Sequence, residues 1–322
     1  MFAELLNLEN CDSLKKFMAS QPHRPFGWAL PPERQSAVVD YLLHGVQEAI
    51  DAGGFAKAYD LGGEMVGLCV TRPDNWASHE LGVRTFRVTH LFAAGSPEMQ
   101  TIVKAMLVRE TVRSAPGRVC FVAQLAHTDL SGLNALERSG FIATQSTVVM
   151  ALDLLDYQSR STPEVGYEVE RARPGELAGF LEATAAEVPD GILGWDYHLP
   201  APTKSRVHRD WLASYATQEL LLASDSGRPA GLLAGHVREE AVRYLGFGVG
   251  TVDFVAAAPE YRNNGVALRL VSDSLDMFKS RGVRLAVVVA RPGDESLLRY
   301  CQTCGFATVE TTVTLANWSD RN

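Results

Sequence analysis

Asp294–Phe306, DESLLRYCQTCGF, is met 165 residues upstream by Asp129–Phe141, DLSGLNALERSGF. The aspartate, a serine, a leucine and the closing Gly-Phe pair coincide without a gap. Further on, Thr147, Val148 and Ala151 fall on Thr312, Val313 and Ala316. Eight identities at one offset, close to half the chain, exceed what chance supplies, so the chain reads as a duplicated domain. The length agrees: 322 residues make two domains at about 100–200 residues each.

Outward from the repeat, each copy reads strand, helix, strand. Val119–Leu125 and Leu285–Ala290 are short apolar runs suited to strands buried on both faces. Helices are expected at Leu130–Arg138 and Ser296–Thr303, ended by Gly140 and Gly305 as C-caps. Strands return at Thr147–Leu152 and Thr311–Leu315. Upstream in the second half, strands are expected at Tyr167–Arg171, Glu219–Ala223, Gly231–Val237 and Thr251–Ala257. The middle pair forms a hairpin around the turn Asp225-Ser226-Gly227-Arg228-Pro229. Pro174–Glu187, with proline in its first turn, and Leu268–Lys279 read as helices. This is an α/β pattern. The polar segment Asp156–Gly166 (DYQSRSTPEVG) reads as a linker between domains 1–155 and 167–322.

Composition narrows the function. With 46% hydrophobic and 21% charged residues, each half can bury a core. A net charge of −8 without a lysine–arginine run argues against nucleic acid or an anionic membrane as partner. No apolar stretch approaches the ~18 residues of a membrane span. The opening MFAELLNLENCDSLKK carries acids and no long apolar run, so no secretory signal is expected and the location is expected to be cytoplasmic. Cys11, Cys69, Cys120, Cys301 and Cys304 are odd in number and widely spaced, which fits reduced thiols. Cys301 and Cys304 spell C-x-x-C, but late in a helix and without a second ligand pair, so neither a redox pair nor a metal site is expected.

The chemistry concentrates after Thr251–Ala257, where Pro259-Glu260-Tyr261-Arg262-Asn263-Asn264-Gly265-Val266-Ala267 runs into a helix. A strand, a turn of small residues and a helix start point backbone N–H groups and the positive end of the helix dipole at one spot, an anion site. The Lys-Ser/Thr of a Walker loop and the glycines of a dinucleotide fingerprint are missing. So is the G-x-S-x-G turn of a hydrolase.

Val255–Ala267, VAAAPEYRNNGVA, resembles the turn of the GCN5-related N-acetyltransferase family, matching its Pro, Tyr, Arg, Gly and Ala at the family spacing. On the following helix Asp294, Leu297, Cys301 and Gly305-Phe306 stand at the family's Asn, Ala, Tyr and Gly-Phe positions. The resemblance spans 165–322. It implies two tandem domains of this fold, each a mixed, splayed central sheet flanked by helices, and acetyl-CoA or another acyl-CoA as co-substrate. It further implies that the backbone of Arg262, Asn263, Asn264, Gly265, Val266 and Ala267 holds the pyrophosphate, with Asp294 also on the cofactor. Val255, Ala256 and Ala257 would also bind the cofactor, and the N–H groups around Val255 and Ala256 would stabilise the oxyanion.

An amine attacking a thioester needs a base. Alternation puts Thr251, Asp253 and Val255 on one face, and Asp253, the ionisable one, is the candidate base; a strand-end aspartate bonding to a turn is the other reading. The family's proton-donating tyrosine is replaced by Cys301, with Tyr300 beside it. Either could protonate the leaving thiolate, or Cys301 is a small core residue and solvent serves. The loop Val188–Pro202 (VPDGILGWDYHLPAP) is where the family binds its acceptor. Trp195, Asp196 and His198 there are acceptor candidates, or the loop is plugged into a core by Trp195.

Carried back 165 residues, Arg262 falls on Pro97, Gly265 on Gln100, Ala267 on Ile102 and Asp253 on Val88. Bulky side chains stand where backbone should meet phosphate, so the first domain is expected to be degenerate and unable to hold the cofactor. The expected activity is transfer of an acyl group, most simply acetyl, to a primary amine of a small molecule by direct attack in a ternary complex. The alternative is a non-catalytic acyl-CoA-binding or scaffold protein. A monomer or a homodimer is expected.

Overall fold

A computed structural model describes residues 4–5, 11–22, 28, 30, 34–158, 166–172, 193, 195–196, 199–215 and 218–319. The helix expected at Pro174–Glu187 lies outside the described residues. The chain forms two compact units.

In the first unit, strands Glu4–Leu5 (β1), Ala56–Leu61 (β2), Glu64–Pro73 (β3), Arg84–Ala93 (β4) and Val119–Ala126 (β5) pair in sequence order. Every pairing is antiparallel except β4–β5, which is parallel. A parallel pair needs a crossover, and helix Pro97–Ser114 makes it. Helices Cys11–Ala19 (α1), Gln35–Asp51 (α2) and Asn75–Leu81 (α3) precede it; it is α4, and Leu130–Glu137 is α5.

After strand Ile142–Asp153 (β6), the second unit repeats the plan. Glu168–Arg171 (β7), Glu219–Asp225 (β8), Arg228–Arg238 (β9) and Gly248–Ala257 (β10) pair antiparallel, and β10 pairs parallel with Val283–Ala290 (β11). Its described helices are Ala201–Ser214 (α6), Glu240–Leu245 (α7), the crossover Val266–Ser280 (α8) and Glu295–Thr303 (α9).

The closing strands are exchanged. Thr312–Ser319 of the last strand, Ala307–Ser319 (β12), pairs antiparallel with β5, while Val148–Asp153 of β6 pairs antiparallel with β11. Each sheet takes its last strand from the opposite half of the sequence. The units therefore divide inside β6, between Ser146 and Thr147, and inside β12, between Thr311 and Thr312, rather than in the polar segment 156–166. Residues 193–197 also belong to the first unit.

The register refines the repeat. Gly67 opposite Ala93 matches Gly231 opposite Ala257, so β3–β4 superposes on β9–β10 at an offset of 164. The helix caps Asp129 and Asp294 keep the offset of 165. The ladders place the extra residue in β11: Val119 opposite Arg84 matches Val283 opposite Gly248 at 164, but Cys120 opposite Thr85 matches Leu285 opposite Val249 at 165, so Arg284 is the added residue, at the register slip.

Both cores are apolar. In the first unit Phe86, Leu107, Phe121 and Leu136 are buried together with Leu315 of the exchanged strand. In the second, Leu270, Val271, Leu275 and Phe278 of α8 pack with Val252, Val288 and Met150, again an exchanged residue. The opposite face of that sheet buries Leu212 of α6 with Leu232, Ala234 and Phe254.

Candidate functional site

The site grows from the parting of two strands. The parallel ladder of β10 and β11 ends at Val252 opposite Val288, yet β10 runs on to Ala257 with β9 alone as partner. The edge of β10 facing β11 is thereby opened at Val255, Ala256 and Ala257.

Beyond Ala257 the chain makes one turn of 3-10 helix, Pro259–Tyr261, then passes Asn263 at φ 63 and Gly265 at φ 84 before α8 begins. The φ at Gly265 is the left-handed region, which an L side chain enters at a cost of about 1–2 kcal/mol. Gly265 is the N-cap and has no side-chain bond to offer, so the first-turn amides of Val266, Ala267 and Leu268 keep their N–H groups for another acceptor. Tyr167 pins the turn by donating its hydroxyl to the Asn264 carbonyl at 3.4 Å and meeting Tyr261 edge-on. Underneath lies Gly231. A Cβ there would fall 2.3 Å from Val266 Cγ1 and 2.9 Å from the Ala256 carbonyl oxygen, so only glycine lets the helix start this close to the sheet. A bare helix N-terminus beside an opened strand edge suits an extended ligand bearing phosphate.

Asp253 sits in a β-bulge. The β9 register slips between Val252 and Phe254, opposite Gly235 and Ala234. Strict alternation would put Val252 and Phe254 on one face; instead Val252 and Val255 join the α8 cluster while Phe254 and Ala256 join the α6 cluster. This corrects the expectation that Thr251, Asp253 and Val255 share a face: the extra residue shifts the phase by one. Across the hairpin His236 lies opposite Thr251, and its Nδ1 is 2.7 Å from Asp253 Oδ2. Arg238 donates from Nε to His236 Nε2 at 3.1 Å. The sequence reading missed both residues. The hairpin register, had it been known, would have brought His236 beside the bulge.

The remaining expected residues are arranged differently. Cys301 is fully buried in the α8–α9 core, and burial first, then Cys304, pushes its thiol up to about 12. The Tyr300 hydroxyl is pushed above its ordinary value, by burial first and then by its bond to Cys304. Both groups hold their protons too tightly to give one readily to a thiolate. Asp294 is occupied by Arg291, which reaches it from the backbone N and Nε at 3.2 Å and from Nη2 at 2.8 Å. Trp195 and Asp196 are not an exposed acceptor loop. Both are wholly buried in the first unit, Trp195 against Trp76, and Asp196 accepts from the Leu193 N–H. His198 lies outside the described residues. No group of three metal-ligating side chains exists among the described residues.

In the first unit the turn is gone. Only Ala94–Ser96 separates β4 from α4, against 258–265 between β10 and α8. At the repeat offset of 164, Val266 corresponds to Ile102, which lies inside α4, and Asp253 to Thr89, the bulged residue of β4, rather than to Val88. Ser96 caps α4 by accepting from the Met99 N–H at 3.3 Å. Beside it Glu98 is held below the usual carboxylate range by hydrogen bonds from its own backbone N–H and then from Ser96. A capped helix start carrying an anion has no use for a phosphate.

Residues 191–306 match the model of the acetyltransferase (GNAT) family. No curated protein sequence is recognisably similar to the chain. Solved structures similar throughout include the following three. The GCN5-related N-acetyltransferase of Sphaerobacter thermophilus has 16% identity and a TM-score of 0.58 over 98% of this chain and 95% of its own. A tandem GNAT protein from the clavulanic acid biosynthesis pathway has 13% identity and a TM-score of 0.55 over 100% and 99%. The GCN5-related glucosamine N-acetyltransferase region of a fungal multi-domain GH3 β-N-acetylglucosaminidase has 16% identity and a TM-score of 0.57 over 98% of this chain, which spans only 38% of that one. Residues 191–306 thus match the GNAT family, and the chain carries the fold of tandem GNAT structures.

Proposed function

We propose that the second unit is an acyl-CoA-dependent N-acyltransferase, moving an acetyl group from acetyl-CoA to a primary amine of a small molecule. The observation that carries this reading is the uncapped helix start at Gly265 beside a parted strand whose bulge holds Asp253. The backbone of Arg262–Ala267 receives the pyrophosphate, and the N–H groups around Val255 and Ala256 stabilise the oxyanion. Asp253 takes the amine proton. The amine nitrogen bonds to the thioester carbonyl carbon, the C–S bond breaks, and the departing thiolate takes its proton from solvent, with Cys301 walled into the α8–α9 core. The first unit, with Ser96 and Glu98 at its helix start, does not hold the cofactor.

Acetyl-CoA is expected to raise the melting temperature, and Gly265→Glu to abolish the shift by placing a carboxylate in the phosphate's place. Thiol release is then followed with a panel of amines that includes glucosamine, the acceptor named for one of the similar structures. Cys301 in place of the family's tyrosine favours a second reading, a non-catalytic acyl-CoA-binding protein. A melting shift without thiol release from any amine supports that reading; no shift with any acyl-CoA sinks both.

A further inference from the structure

His236 and Arg238 stand two residues apart on β9, beside the bulge of β10. A guanidinium can only donate. With Arg238 Nε–H directed at His236 Nε2 at 3.1 Å, that ring nitrogen must present its lone pair and the imidazole proton must sit on Nδ1. From there it is donated to Asp253 Oδ2 at 2.7 Å. The donors run one way: arginine to histidine, histidine to carboxylate. Both His236 and Asp253 stay partly open, with side chains 24% and 20% exposed, so the carboxylate end of the chain meets solvent at the parted strands.

We infer that Arg238 and His236 are positioning residues for Asp253: Arg238 fixes the imidazole tautomer, and His236 ties down Oδ2 so that Oδ1 is the oxygen that receives the amine proton. The inference rests on the reading of Asp253 as the base. His236 is not itself the base, because its one lone pair is engaged by Arg238. Without the tie, the carboxylate at a bulge is free to rotate about its own Cα–Cβ and Cβ–Cγ bonds, and the alignment that proton transfer demands is lost. A bulge re-aims a side chain; here the neighbouring strand supplies the hydrogen bond that holds the new aim.

Two measurements test this on the full chain. Long-range 15N–1H NMR of histidine-labelled protein, with His236 assigned by its loss in His236→Asn, should show the neutral Nδ1–H tautomer, and Arg238→Met should leave Nε2 open to a proton of its own while Nδ1–H stays on Asp253. An Nε2–H tautomer in the unaltered protein overturns the inference whatever the activity. In thiol-release kinetics with the best amine of the panel, His236→Ala should lower kcat about 10- to 100-fold, a share of what a general base supplies, with KM for acetyl-CoA unchanged. His236→Asn, whose amide can donate where Nδ1 did, should recover most of the loss. Equal loss in both variants makes His236 a base or a structural residue and overturns the positioning role. If no amine yields thiol, or if Asp253→Asn keeps full turnover, the base reading fails and the inference fails with it, even where the NMR confirms the tautomer.

Discussion

Lys104 places its ammonium 2.7 Å from one oxygen of Asp129 and 2.8 Å from the other, with both side chains almost completely buried. Ser131 and the Gly132 N–H complete the shell around the carboxylate. The ion pair ties α4 to the start of α5 in the first unit. In the second unit the equivalent cap, Asp294, turns to the exposed Arg291 instead. The unit without the long turn of the Gly265 kind thus clamps the helix-start aspartate that the other leaves at the surface. Lys104→Met should destabilise the protein by about 3–5 kcal/mol, since it strands a buried carboxylate. A drop in the urea midpoint corresponding to less than about 1 kcal/mol would show that the pair is solvated in solution.

The same pair predicts an acid limb. Burial opposes ionisation of Asp129, but the Lys104 charge and the bonds from Lys104, Gly132 and Ser131 outweigh it and hold the carboxyl below its ordinary value. The stabilisation is therefore complete above the unfolded carboxyl pKa, about 4, and is lost as the pH falls through the lower native value. Urea midpoints measured from pH 7 down to pH 2 should fall more steeply in the unaltered protein than in Asp129→Asn. Parallel curves would count against it.

Gly231 predicts a link between packing and cofactor. In Gly231→Ala the new methyl must displace Val266 or the Ala256 carbonyl, which lifts the start of α8 off the sheet. A loss of about 1–3 kcal/mol is expected from overpacking. The acetyl-CoA melting shift should shrink as well, because the displaced residue carries a first-turn amide. An intact shift would separate the helix position from cofactor binding.

Cys301 is expected to be silent in catalysis. Cys301→Ala removes one buried sulfur from the α8–α9 core and should cost about 1 kcal/mol. Thiol release per folded molecule should stay within about twofold, whereas a group supplying general acid catalysis would be missed by 100-fold or more. Turnover and denaturant midpoint measured on one preparation separate the two.

Much of the fold was legible because the repeat carries it. Asp129 and Asp294 both stand at the N-cap position, and Phe141 and Phe306 are both core residues, so the identities fall at helix starts and in the cores. The turn at Gly265 was legible for the same reason: bare backbone requires small residues in a short local pattern. Strand exchange was not, since β6 and β12 are alternating strands fit for either sheet, and no local signal names a partner more than 130 residues away, as Leu285 is from Asp153. The bulge escaped too. One extra residue in β10 moves Val255 to the other face and brings Asp253 to His236, and a strand pattern alone does not show where its partner slips. For Trp195 the sequence leaves acceptor contact and core plug both open, and the choice turns on a partner far upstream, Trp76.

The exchanged strands bear on how such a chain can be made and divided. The sheet of the first unit stays one strand short until residues 312–319 have been synthesised, so the first unit to emerge from the ribosome is among the last things to be finished. A cut in the polar segment 156–166 would leave each fragment lacking an edge and exposing one, a template for joining other copies. The two halves are not autonomous: the part with the turn at Gly265 is expressed and assayed only as a whole with the part that lacks it.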